Sequence, residues 1–183
     1  MNGYFFKPRL WPTLITVPLL ACLIALGNWQ LERLDWKLDL IEKIKMRATQ
    51  SPMHLPSESN DLDQLEYYHA LVFGKFDHTK EVTMYSVGPN GEPGYDLYTP
   101  MMLDDGRNLI VNRGWVPQQI KEQNDRPWTI VSGDVQLSGL LRKPWSKLWY
   151  GPENEPENNM WFYGDVDAMA FQMALNDYYP MYL

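Results

Sequence analysis

The sequence predicts an α+β chain. An N-terminal transmembrane helix is followed by one antiparallel, mainly β domain, a sheet or small barrel, with a helix near its C-terminal end. Three observations carry this reading. No charged residue falls between Arg9 and Glu32. From Tyr67 onward, short β-prone runs alternate with Gly, Pro, Asn and Asp turns. Near the end, apolar residues return at helical spacing over 165–176. The 183 residues thus divide into a tail at 1–9, a transmembrane helix at 10–30, a juxtamembrane helix at 31–48 and a mainly β domain at 49–183.

The core of the apolar run, Leu10 to Leu26, reads LWPTLITVPLLACLIAL. A membrane helix needs about 20 such residues. Trp11 and Trp29 would stand about 27 Å apart on a helix, which suits tryptophans at the two headgroup belts. Pro12 falls in the first turn, where its missing N–H is harmless. Pro18 is expected to kink the helix, which membranes tolerate. Three rival readings are weaker. A buried core helix fits neither the length nor the flanking charges. A cleaved signal peptide suits Lys7 and Arg9, but no small-x-small site closes the run. Leu19-Leu20-Ala21-Cys22 resembles a lipid-attachment box, yet a lipoprotein cut there would begin with apolar residues instead of a polar tether. Basic residues stand on both sides of the span, Lys7 and Arg9 before it and Arg33, Lys37, Lys43, Lys45 and Arg47 after it. Charge alone therefore leaves the orientation open.

Leu31, Leu34, Leu38, Ile41 and Ile44 recur at spacings of three and four, so the helix is expected to continue to about Ala48. This stripe suits packing on the following domain or on a partner, and the first is the favoured reading. SPMHLPSESND, 51–61, is a linker by composition. ALVFGKF and KEVTMYSV then read as strands separated by Asp77-His78-Thr79, and GPNGEPG at 88–94 as a turn. GYDLYTPMML and NLIVNRGWV flank Asp104-Asp105-Gly106-Arg107, a hairpin signal because Asp-Gly accepts positive φ. In TIVSGDVQLSGLLR, Val135, Leu137, Gly139 and Leu141 alternate with more polar neighbours. PENEPENN is an acidic loop. The helix at 165–176 takes Ala168, Met169, Phe171, Met173 and Leu175 as its apolar residues.

Composition excludes some functions. A net charge of −7 and a pI near 4.9 lack the basic footprint that nucleic acid requires. A single cysteine, Cys22, allows neither an intramolecular disulfide nor a cysteine-based zinc site. Gly88, Gly91 and Gly94 sit in a Pro-rich turn and do not form a phosphate loop between strand and helix. No serine occupies a nucleophile elbow. His54, His69 and His78 lack helical ligand spacing, and His54 and His78 read as solvated surface residues. Asp104-Asp105 and Glu153-x-Glu155-x-Glu157 adjoin turns and read as solvated loops. Ten methionines invite copper, with Met101-Met102 and Met169-x-x-x-Met173 the nearest pairs, but methionine more often fills gaps in a core.

Four stretches in order carry a resemblance: LGNWQLERLDWKLDLI at 26–41; GKFDHTKEV at 74–82; GYDLYTPM at 94–101 with VNRGWVP at 111–117; and Pro152, Asn154, Pro156 and Trp161. Together they resemble the surfeit locus protein one family of cytochrome c oxidase assembly proteins. The matching positions include Gly74, Asn112, Arg113, Gly114, Trp115, Pro152, Asn154 and Trp161. Each also has a local reading. Gly114 ends a strand where glycine permits close backbone approach. Arg113 suits a buried hydrogen-bonding hub or a ligand contact, the hub being favoured. Trp29, Arg33, Trp36 and Lys37 could share one helix face, where an interfacial anchor fits them as well as a binding role does.

The resemblance implies a non-enzymatic, membrane-anchored factor that helps deliver or hold heme a for the main oxidase subunit. The alternative is a cofactor-free scaffold that stabilises an assembly intermediate. It implies oxidase subunits or other assembly factors as partners, besides membrane lipid. It places the N-terminus on the cytoplasmic or matrix side and the domain on the opposite face. It also implies a second transmembrane helix with a heme-ligating histidine after the domain. This sequence stops at Leu183 before such a span, so it is expected to be an incomplete member that does not bind heme by itself. With the apolar run starting near residue 10, no mitochondrial presequence fits ahead of it. A bacterial inner membrane with a periplasmic domain is the expectation.

Overall fold

The computed structural model describes residues 9–56 and 61–183; Lys7 and the middle of the linker lie outside the described residues. The chain divides into two compact units, Met1–Met46 and Arg47–Leu183. In the first, helix α1 begins at Leu10 and runs unbroken to Ala48, just inside the second unit, with Pro18 inside it. At 39 residues it is about 58 Å long, roughly twice the thickness of bilayer hydrocarbon. It is long and apolar enough to cross a membrane. Its charged half, from Glu32 onward, exceeds what the hydrocarbon needs.

The second unit is built on a seven-stranded sheet. Its strands are β1 (Met53–His54), β2 (His69–Phe76), β3 (Val82–Val87), β4 (Pro93–Leu103), β5 (Asn108–Pro117), β6 (Val135–Leu140) and β7 (Tyr178–Tyr182). The order is β1-β2-β4-β5-β7, with β3 on β4 and β6 on β2. Most pairs are antiparallel, but β1 joins β2 and β7 joins β5 in parallel. The sheet is thus mixed, where the sequence suggests a wholly antiparallel one. It is also not a barrel. The contact between Arg142, just past β6, and Tyr182 of β7 is one isolated bridge and does not form a ladder.

Strand β4 holds the sheet together by changing neighbours. Its first half pairs with β3, its last three residues pair with β2, and β5 runs along its other edge. At the switch, Asp77 N donates to Pro100 O at 2.9 Å. The hairpin to β5 turns at Gly106, whose φ of +88° is the positive value that Asp-Gly turns supply.

Both faces of the central strands are buried, so β4 and β5 read as nearly continuous apolar runs. One core gathers Val82, Met84, Tyr98, Ile110, Trp161 and Tyr182 under helix α3 (Val166–Gln172). The other gathers Val72, Met101, Leu109, Leu141, Tyr179 and Met181. Methionines 101, 169 and 173 fill these cores, whereas Met102 faces out. Asp165 caps α3, its Oδ1 accepting from Ala168 N at 2.9 Å. The helix is shorter than the sequence suggests, and Phe171, read as one of its apolar anchors, is 87% exposed. Val166 and Ala170, with Met169, take the core positions instead. Within the expected linker, Met53–His54 forms β1, and Asp61 caps a single helical turn, α2 (Leu62–Leu65), by accepting from Asp63 N and Gln64 N.

Candidate functional site

The motif Asn112-Arg113-Gly114-Trp115 forms a bulge in β5. Asp96 faces Trp115 and Tyr98 faces Asn112, so Arg113 and Gly114 together oppose Leu97. Such a bulge re-aims a side chain out of the alternating pattern. Gly114 takes φ +103°, and its N–H donates to Asn112 Oδ1 at 2.8 Å. Asn112 Nδ2 in turn donates to Tyr98 Oη at 3.3 Å. A Cβ on Gly114 would meet nothing within 4 Å. Close approach is therefore not its reason, contrary to the reading of the strand end; positive φ is. Gly74 is the close-approach glycine, since a Cβ there would lie 2.1 Å from Met102 O.

The bulge places Arg113 in a buried ion cluster. Arg113 Nη1 donates to Glu81 Oε2 at 3.2 Å, with side chains 9% and 7% exposed. Arg126, 1% exposed, binds the same carboxylate through Nη2 on Oε1 and Nη1 on Oε2. Arg126 also donates from Nε to Ile120 O and from Nη2 to Lys121 O. Arg113 lies over the Phe76 ring at 5.3 Å. Burial holds the Arg113 guanidinium below the usual arginine range; Glu81 opposes this, and the nearby Arg126 charge adds to it. His78 closes the cluster, and this corrects its reading as a solvated turn residue. Arg113 Nη1 donates to His78 Nδ1 at 3.1 Å, and His78 Nε2 lies 2.9 Å from Val131 O. Val131 N also lies 3.1 Å from His78 Nε2, so the ring is held from both sides by Arg113 and the Val131 backbone. Two cations on one carboxylate make this a bolt between the turn ahead of β3, the β5 bulge and the 120–130 loops.

The other motif residues are also spent on structure. The Trp115 ring covers Gly88 and Gly94, where added Cβ atoms would fall 2.7 and 2.5 Å from it. Asn154 Oδ1 accepts from Phe162 N at 2.8 Å and Tyr163 N at 3.2 Å. Its Nδ2 donates to Tyr163 O at 3.3 Å. That folds the acidic loop back on itself. Trp161 is fully buried, and its backbone pairs with Thr83 O and Tyr85 N of β3. Pro152 lies exposed beside an apolar depression shared with Leu148 and Phe162. Carboxylates that read as solvated loops are held locally: Asp105 by Arg107 at 2.6 Å, Glu153 by Lys147, and Glu155 by Asn158 at 2.9 Å.

On α1, the Arg33 guanidinium lies 5.4 Å from the Trp29 ring centre. Trp29, Arg33, Trp36 and Lys37 are all exposed. This patch could meet the propionates and ring face of a heme. No histidine lies on α1; His54, His69 and His78 all belong to the second unit. His54 stacks on Phe73 at 6.3 Å, and His78 is held by Arg113. The residues present on α1 therefore fit ring and propionate contact with a heme, with no histidine on that helix to serve as an axial ligand. Among the described residues, no group of three His, Cys, Asp or Glu side chains is placed to hold a metal ion.

Sequence reasoning missed Glu81 and Arg126. Glu81 ends the GKFDHTKE stretch and Arg126 precedes a proline in a polar loop. Nothing in their spacing signals a pair that the fold brings together from positions 45 apart.

Residues 17–183 match the model of the SURF1 family. The chain is 34% identical over 173 residues to Surfeit locus protein 1 of Homo sapiens, covering 86% of this chain and 57% of that protein. It is 36% identical over 165 residues to that of Rattus norvegicus, covering 82% and 54%. With the Xenopus tropicalis protein the figures are 33% over 162 residues, covering 80% and 53%. The chain thus spans about half the length of the curated relatives it matches.

Proposed function

The chain belongs to the SURF1 family, and from that premise we propose that it is a membrane-anchored, non-enzymatic assembly factor for cytochrome c oxidase. The observation that carries this reading is where the motif residues go. Gly74, Arg113, Gly114, Asn154 and Trp161 are all engaged in folding the domain. They do not converge on a reactive centre, so function falls to surfaces. An apolar helix joined to such a domain suits a holder of an assembly intermediate.

Heme a enters this proposal as cargo for the main oxidase subunit. Trp29, Arg33, Trp36 and Lys37 support it as far as ring and propionate contact goes. The domain would lie on the membrane face away from the cytoplasm or matrix, in a bacterial inner membrane the periplasmic one. Oxidase subunits and other assembly factors are the proposed partners.

Deleting the gene and measuring reduced-minus-oxidised spectra of isolated membranes tests the assembly role. A several-fold loss of the heme a signal, restored by the full-length gene, is expected. Unchanged oxidase content would overturn it. Heme a that co-purifies with the full-length product would favour the cargo role. Its absence alongside captured oxidase subunit would favour a cofactor-free scaffold.

A further inference from the structure

A tight turn at Leu148–Gly151 carries two aromatic side chains at its tip. Gly151 N donates to Leu148 O at 2.9 Å. Between them, Trp149 is 91% and Tyr150 69% exposed, their rings edge-on at 5.2 Å. Turn tips ordinarily carry Gly, Asn or Asp, so a Trp-Tyr pair in that place exposes apolar surface that folding does not require. The base of the loop is fastened to the domain. Trp145 N donates to Gly164 O at 3.0 Å, and the Trp145 ring packs edge-on against Tyr182 at 5.6 Å. Behind the tip lies an apolar depression of about 350 Å³ lined by Leu148, Tyr150, Pro152 and Phe162.

We propose that this tip is a second membrane contact, in which Leu148, Trp149 and Tyr150 seat in the headgroup region of a bilayer. The segment 142–151 contains Arg142, Lys143 and Lys147 and no acidic residue, in a chain whose net charge is −7. Aromatic rings flanked by long cationic side chains are the composition of interfacial belts. Lys143 and Lys147 are paired with Asp63, Glu66 and Glu153, so ring insertion, more than net charge, supplies the attraction. The tip is convex, suited to a soft surface more than to a pocketed partner. The apolar helix α1 supplies the tether: a domain joined to a membrane span meets the bilayer at high effective concentration. Weak insertion is then enough.

The test uses the full chain in proteoliposomes, with Cys22→Ala and a nitroxide attached through Leu148→Cys, which keeps both tip rings. A second preparation carries the label through Phe171→Cys, at an exposed helix position outside the tip. Collision of each label with oxygen and with a water-soluble nickel chelate is read by electron paramagnetic resonance. At position 148 the oxygen-to-nickel ratio should exceed that at 171 by at least threefold. It should hold when lipid is raised tenfold over protein. Equal ratios at the two positions would overturn the proposal. So would protection that disappears on lipid dilution, which would assign the tip to a second copy of the chain.

Discussion

Arg126 and Glu81, 45 positions apart in sequence, form an ion pair in which the side chains are 1% and 7% exposed. Breaking such a pair by removing one partner leaves a buried charge uncompensated, at a cost of about 3–5 kcal/mol. Glu81→Gln would leave two guanidiniums, Arg113 and Arg126, in that position. Thermal and urea unfolding of the chain in detergent should show a loss in this range. Lys75→Gln, which breaks the exposed pair with Asp134 at 3.4 Å, should change stability by no more than about 1 kcal/mol. Equal effects would show that burial does not set the strength of the Glu81 cluster.

Gly74 and Gly114 should respond to alanine for different reasons. At Gly74 the new Cβ would press on Met102 O at 2.1 Å, and the strands must part. The expected loss is about 1–3 kcal/mol, as for overpacking generally. At Gly114 there is room, but φ of +103° disfavours any L side chain, by about 1–2 kcal/mol. Hydrogen exchange separates the two causes. Gly74→Ala should speed exchange of amides along β2 and the end of β4, whereas Gly114→Ala should act locally on the bulge.

Ala174 ends helix α3 with φ +51°. Ala174 N donates to Phe171 O at 3.0 Å and Leu175 N to Ala170 O at 2.9 Å, the bond pattern of a left-handed helix cap that usually carries glycine. Ala174→Gly should therefore stabilise the domain by about 0.5–1 kcal/mol, read as a rise in Tm of a few degrees. A fall would mean that the alanine methyl makes contacts worth more than the strain.

Elements set by local pattern were legible in the sequence. The long helix follows from an uncharged run continued by Leu31, Leu34, Leu38 and Ile41. The β4–β5 hairpin follows from Asp105-Gly106. What failed to show was non-local. Strand β7, YYPMY, is interrupted by Pro180 and pairs in parallel with a strand some 70 residues earlier, Asn108 facing Tyr178. Nothing within a short window announces that. Phe171 was misplaced because α3 has only seven residues. So short a helix has one narrow buried face, already filled by Val166, Met169 and Ala170. In the candidate site, the motif residues were identifiable from the resemblance, but their roles were not. Arg113 needs Glu81 and His78 from one segment and Arg126 from another before its burial makes sense.

Two buried tyrosines should set the alkaline limit of the fold. Burial, aided by the charge of Asp96, pushes the Tyr98 hydroxyl from 10.0 up to about 12. Burial likewise raises Tyr182, whose ring lies 5.3 Å from that of Tyr98. A phenol held neutral in the folded state keeps its proton where the unfolded chain has lost it. Its contribution is fully present below pH 10 and is lost as pH rises toward the folded value. The Tm should therefore be flat with respect to these groups from pH 7 to about pH 9 and fall from about pH 10 upward. Tyr182→Phe should make that fall shallower. Its hydroxyl has no hydrogen-bond partner among the described residues, so at pH 7 stability should change by no more than about 1 kcal/mol. A loss of several kcal/mol at pH 7, or an unaltered alkaline slope, would show that the hydroxyl is bonded and that another group governs the limit.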